Sequence, residues 1–276
     1  MDSFGRDGLT FDVRDAGPRD GGTAVLLHGF PQDGSAWDGV APALHEAGLR
    51  TLAPDQRGYS PGARPSGRAA YRISECALDV VALLDAAGVR RAHVVGHDWG
   101  GAVAWALATR QPDRVHSLTV LSTPHPAALA WSFTHSGQGL RSWYMAFFQL
   151  PRLPERLVSL DLAGMLARSG LPPAQVERYV ARMQEPGALT AALDWYRAMP
   201  ASMRRAADAR PVTVPTTYIW GRADFALGRV AAERTRRHVT GPYRFVELDA
   251  GHWLPETRPT PVATVILDQV QAVAQR

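Results

Sequence analysis

The stretch Val94–Trp105, VVGHDWGGAVAW, constrains the fold of this chain more than any other. A short apolar run ends in Gly-x-Asp-x-Gly and passes at once into an Ala-rich helical segment. A strand turns that sharply into a helix only through strained backbone at the apex, so the flanking residues must be small, here Gly96 and Gly100. The apex side chain, Asp98, then stands at the carboxyl edge of a sheet and at a helix N-terminus, whose dipole favours an anion. Asp is also a common helix cap, so the turn alone fits either a cap or a nucleophile.

The surrounding pattern supplies the sheet. Strand-like runs at 9–14, 24–27, 51–53, 92–95 and 118–121 alternate with helical spacing at 37–47, 74–87 and 102–109. Gly88 closes the second helical run as a C-cap. This alternation predicts a doubly wound, mostly parallel α/β sheet. From Pro124 to Ala209 no β-like run occurs; the segment is helical in pattern and rich in aromatics and prolines. Strand pattern returns at 216–220 and 245–248, around a helical 230–238, and 254–274 closes the chain as mostly helix. The expected organisation is an α/β core of residues 1–123 and 211–276, with a helical cap inserted at 124–210.

Composition excludes more than it assigns. At 276 residues the chain is at the upper end for one hydrophobic core. No apolar run reaches the roughly 18 residues of a membrane span. The charged start MDSFGRDGLTFDVRD lacks a signal-peptide core, so a cytoplasmic protein is expected. All 30 basic residues are Arg, and the net charge is +4. They are scattered among acids, with Arg204-Arg205 and Arg234-Arg236-Arg237 the densest groups, which reads as solvated surface and not as a nucleic-acid groove. The single cysteine, Cys76, falls in the 74–87 helical pattern and reads as a buried, inert thiol. Nothing resembles a metal-binding Cys/His cluster or a phosphate loop, so no cofactor or metal is expected.

Other candidates gain weight from their order. His28-Gly29-Phe30-Pro31 follows the 24–27 strand; Asp224 sits in the loop after 216–220; His252 sits in the loop after 245–248. Each alone reads as a turn or loop residue. Together with Asp98 they give nucleophile, acid and histidine in the order of the α/β-hydrolases. The chain is identified as resembling an epoxide hydrolase of the α/β-hydrolase fold. His28-Gly29-Phe30-Pro31, Asp55-Gln56-Arg57-Gly58-Tyr59, Gly96-His97-Asp98-Trp99-Gly100-Gly101 and Gly251-His252 match that family's motifs in order. Ser60-Pro61-Gly62 departs from it, standing where the family more often has Gly-x-Ser.

The resemblance implies further roles. The backbone N–H groups of Phe30 and Trp99 would form an oxyanion hole, and the Phe30–Pro31 peptide would be cis. Tyr144, in Tyr144-Met145-Ala146-Phe147-Phe148-Gln149-Leu150-Pro151, and Tyr196, in Trp195-Tyr196-Arg197, match the contexts of the two cap tyrosines that protonate an epoxide oxygen. A carboxylate nucleophile also selects the reaction by its own chemistry. Attack on an ester would give only an anhydride, whereas attack on a saturated carbon gives an ester that water can split. The expected substrate is therefore an apolar small-molecule epoxide, taken by a monomer or homodimer that uses neither nucleic acid nor membrane. The alternatives are a dehalogenase of the same fold and a non-catalytic small-molecule receptor. A fluoroacetate-type dehalogenase would carry Arg where this chain has Trp99; haloalkane types share the Trp, and the tyrosine pair separates them.

Overall fold

The computed structural model describes residues 1–206 and 210–275, and the side chains of 203–206 lie outside the description together with the expected Arg204-Arg205 group. Strands β1 (Ser3–Arg6) and β2 (Leu9–Ala16) form an antiparallel pair. Then β3 (Thr23–Leu27), α1 (Ala41–Glu46), β4 (Arg50–Pro54), α2 (Ile73–Ala86), β5 (Ala92–His97), α3 (Trp99–Arg110) and β6 (Val115–Leu121) alternate as the pattern predicts. Helices α4 (Pro126–His135), α5 (Gln138–Arg141), α6 (Trp143–Phe147), α7 (Leu153–Arg168), α8 (Pro173–Gln184) and α9 (Ala188–Ala206) follow without an intervening strand. The chain returns through β7 (Thr216–Gly221), α10 (Arg229–Arg234), β8 (Tyr243–Leu248), α11 (Leu254–Thr257) and α12 (Pro259–Ala274).

The eight strands form one sheet in the order β1-β2-β4-β3-β5-β6-β7-β8. From β4 to β8 every pairing is parallel. Parallel strands covered on both faces must be apolar throughout, and β3 (TAVLL) and β5 (AHVVGH) are buried at every position. One core cluster lies on the face covered by α2 and α3, and a second lies under α1 and α12. No described helix is long and apolar enough to cross a membrane.

Differences from the sequence reading have local causes. β1 is an edge strand of four residues, SFGR, with one buried side chain, so it leaves no apolar pattern to read. The helical spacing at 37–47 resolves into a 3-10 turn, Gly34–Trp37, capped by Asp33, and then α1 with Pro42 in its first turn. The 230–238 run is α10 followed by the 3-10 turn Thr235–His238. The last helical run is broken at Arg258, which precedes Pro259 and is pushed out of helical geometry.

Helix α9 is tied to the loop after β4 through Trp195, which is 1% exposed and donates its indole N–H to the carbonyl of Arg57 at 2.9 Å. Truncating so large a buried ring would cost about 3–5 kcal/mol. The Asp55–Tyr59 segment supports the same joint from below. Asp55 accepts from Arg182 of α8 at 2.8 Å, and Arg57 makes a two-pronged pair with the buried Asp79.

Candidate active site

The elbow has the geometry its glycines imply. Asp98 sits at φ 49°, ψ −119°, a conformation that non-glycine residues seldom adopt, and α3 begins at the next residue. A Cβ on Gly96 would strike the carbonyl of Gly100, and a Cβ on Gly100 would strike that of Leu27. The turn is held by Thr123, whose hydroxyl donates to the carbonyl of Asp98 at 2.7 Å.

Asp98, Asp224 and His252 follow the carboxyl ends of β5, β7 and β8, and the structure brings all three together. His252 Nδ1 lies 2.9 Å from Asp224 Oδ2, and Nε2 lies 3.8 Å from Asp98 Oδ2. Asp224 is fixed in turn by the backbone N–H groups of Ala226 and Leu227, at 2.8 and 3.0 Å on its other oxygen. Burial alone would push the His252 ring down, but the charge and hydrogen bond of Asp224, then Asp98 and Glu256, outweigh it and raise the ring to about 9. The resting ring is therefore an imidazolium at neutral pH, held between two carboxylates.

The loop after β3 meets the nucleophile from the other side. The N–H of Phe30 donates to Asp98 Oδ1 at 2.9 Å, and the Phe30–Pro31 bond is cis, as the resemblance implies. Trp99 opens α3, so its N–H is among those a helix leaves without an internal partner.

Tyr144 on α6 and Tyr196 on α9 come together over this site, with ring centroids 6.1 Å apart. Tyr196 packs edge-on against Trp99 at 4.9 Å and against Phe30 at 5.6 Å. Among the described residues neither hydroxyl donates a hydrogen bond, and the side chain of Trp99 interacts with the hydroxyl of Tyr196. Burial, and next the charge of Asp98, push both phenols far above their ordinary range, so both stay protonated.

A family model described as the alpha/beta hydrolase fold matches residues 24–259. The chain belongs to the α/β-hydrolase fold family. It is 38% identical to an AB hydrolase superfamily protein, YfhM, of Bacillus subtilis over 96% of each chain. It is 32% identical to Epoxide hydrolase A of Mycobacterium tuberculosis, over 95% of this chain and 94% of that protein. The crystal structure of Epoxide Hydrolase A from Mycobacterium thermoresistibile matches with a TM-score of 0.86 at 29% identity, covering 98% of this chain and 97% of that one. The resemblance read from the motifs is thus borne out by the relatives.

In this α/β hydrolase a largely apolar cavity of about 120 Å³ starts at Asp98. It is lined by Trp99, Ala102 and Trp105 of α3 and by Leu129 of α4, Met145 of α6 and Met199 of α9. No group of His, Cys, Asp or Glu able to hold a metal occurs among the described residues.

Sequence reasoning did not find the buried supports of the hydrolase site. Gln32 accepts from the N–H of Gly29 at 2.6 Å, and His97 lies between Gln32 Oε1 and the carbonyl of His252, 2.9 Å from each. Tyr179 and Glu256 complete that cluster. His97 lies inside a quoted motif and Gln32 directly follows another, which could have marked them; Glu256 and Tyr179 carry no local signal.

Proposed function

We propose that this hydrolase opens an apolar small-molecule epoxide to a vicinal diol through a covalent ester on Asp98. Residues 124–210 act as a cap over a core formed by 1–123 and 211–276. The observation that carries the reading is the pairing of an elbow carboxylate with two protonated phenols facing it. A halide leaves as a stable anion and needs no acid; an epoxide oxygen leaves as an alkoxide and does.

Asp98 attacks one epoxide carbon, its Oδ–C bond forms as the ring C–O bond breaks, and Tyr144 or Tyr196 gives the alkoxide a proton. Esterification cancels the Asp98 charge, one of the charges that raise His252. The ring then releases its proton, which restores the tyrosinate to phenol. Neutral His252, oriented by Asp224, takes a proton from water, and the hydroxide adds to the ester carbonyl. The 3.8 Å between Nε2 and Oδ2 suits a base that acts through water on this carboxyl group. The N–H groups of Phe30 and Trp99 receive the oxyanion, an interaction worth roughly 3–4 kcal/mol per donor. Collapse breaks the acyl C–O bond, and the acid proton passes to the departing diol. Asp98 ends as carboxylate and His252 as imidazolium, as they began.

The test is a screen of aryl and alkyl epoxides beside matched organohalides, assaying diol and halide separately. Diol from at least one apolar epoxide, with little halide release, is expected. Halide release without diol would overturn the reading.

A further inference from the structure

We propose that Glu256 is a positioning residue of this site: its carboxylate ties cap helix α8 to the loops carrying Phe30 and His252, and directs a negative charge toward His252. The carboxyl end of Glu256 is closed off from solvent. Its Oε1 accepts from the side-chain amide of Gln32 at 2.5 Å and from the hydroxyl of Tyr179 at 3.0 Å, while Oε2 is buried without a partner. Tyr179 and Gln32 are both fully buried.

From Glu256 the contacts run two ways. Gln32 receives the N–H of Gly29, the residue before Phe30, and His97 bridges from Gln32 to the carbonyl of His252. One carboxyl thus sits between α8 and both catalytic loops. The charged and titratable groups around it fix the sign of its effect. Glu256 lies on α11, and His252 is in the loop just before that helix; from α8 come Tyr179 and, beyond it, Arg182, whose charge is engaged by Asp55, Asp33 and Glu185. His97, from the end of β5, is kept neutral by burial and by His252. Arg182 is engaged by other carboxylates, and the charges of Glu256 and His252 act on each other. Burial raises the carboxyl to about 7 against the two hydrogen bonds, so that charge is present in slightly alkaline solution and is lost below neutrality.

The inference rests on His252 being the base of the proposed reaction, and its test is read first in the free enzyme. Histidine ring NMR titration of wild type and Glu256→Gln, with the His252 signal assigned by its loss in His252→Gln, measures the link directly. Glu256→Gln keeps the shape and an acceptor for both donors, and removes the charge. His252 is expected to titrate about half a unit or more lower. The acid limb of ester hydrolysis, followed in single turnover, is expected to move to lower pH with it. Tyr179→Phe keeps the ring, removes one donor from the carboxylate, and is expected to shift His252 in the same direction by less; it serves if Glu256→Gln fails to fold. Identical His252 titrations in wild type and variant would overturn the proposal, even where epoxides alkylate Asp98. A shifted titration with no alkylation by any epoxide would leave the link standing and overturn the epoxide reading.

Discussion

The side-chain amide of Gln149 donates to the backbone carbonyl of Tyr196 at 2.8 Å, so the segment that carries one site tyrosine holds the backbone of the other. Arg197, next to Tyr196, answers from the far side by donating to the carbonyls of Phe148 and Leu150, at 3.2 and 3.0 Å. The Tyr144–Pro151 and Trp195–Arg197 contexts are therefore one structural unit. Each supplies the backbone partners of the other, which is why both are needed to set the distance between the phenols.

Gln149→Ala removes that link and neither hydroxyl. Because misplacing a reacting group by an ångström can cost up to about 100-fold, a loss on the order of 10-fold in the alkylation rate is expected. Ester hydrolysis, which uses neither tyrosine, should change less. Stopped-flow rates of the two steps check this; equal losses in both would mean that Gln149 acts only through general stability.

Tyr144→Phe and Tyr196→Phe each remove one donor that the proposed reaction assigns to the developing alkoxide, and keep the ring packing. Each single change is expected to slow alkylation in part, and the double change by about 100-fold or more, the usual contribution of general acid catalysis. The melting temperature should move little. A double variant that alkylates at the wild-type rate would reduce the tyrosines to packing.

Much of this was legible because the constraints are local. The Gly96-x-Asp98-x-Gly100 turn, the buried runs of β3 and β5 and the strandless 124–206 stretch each follow from a few adjacent residues. The order of Asp98, Asp224 and His252 was readable because each follows a strand. What the sequence hides is long-range: Glu256 meets Gln32 across 224 positions and Tyr179 across 77, and no spacing rule connects such residues. β1 and the break at Arg258 were missed for the opposite reason, being too short or too subtle for a periodic pattern.

The proton on His252 has a consequence for stability. The folded ring is raised to about 9 from an ordinary 6.5, so the protonated ring favours the folded state. That contribution is complete below about 6.5 and is lost as pH rises to about 9, on the order of 3 kcal/mol over the window. Glu256 acts in the same direction lower down: its carboxyl, raised from 4.5 to about 7, favours the folded state when protonated, and that contribution is lost across this range. Urea unfolding from pH 6 to 9.5 should show wild type losing stability with pH, and His252→Gln losing less above pH 6.5. Parallel curves would contradict an imidazolium resting state.

His252→Gln should also separate the two half-reactions. In the proposed reaction ring opening needs Asp98 and the tyrosines, while ester cleavage needs the base, so the variant should be trapped as the alkyl-enzyme. Intact mass is expected to rise by one epoxide mass on incubation with any substrate of the wild type. An unmodified mass would remove His252 from the hydrolytic step.

In the proposed reaction Asp98 is a nucleophile and not a base, and the fate of one oxygen atom tests this. A single turnover in heavy-oxygen water, with enzyme in excess over epoxide, is followed by mass spectrometry of the diol and of the peptide containing Asp98. If water attacks the carboxyl carbon of an ester, the label enters the Asp98 carboxylate and the first diol carries the aspartate's original oxygen. Label in the first diol, with Asp98 unlabelled, would mean that water attacks the epoxide directly and that no ester forms.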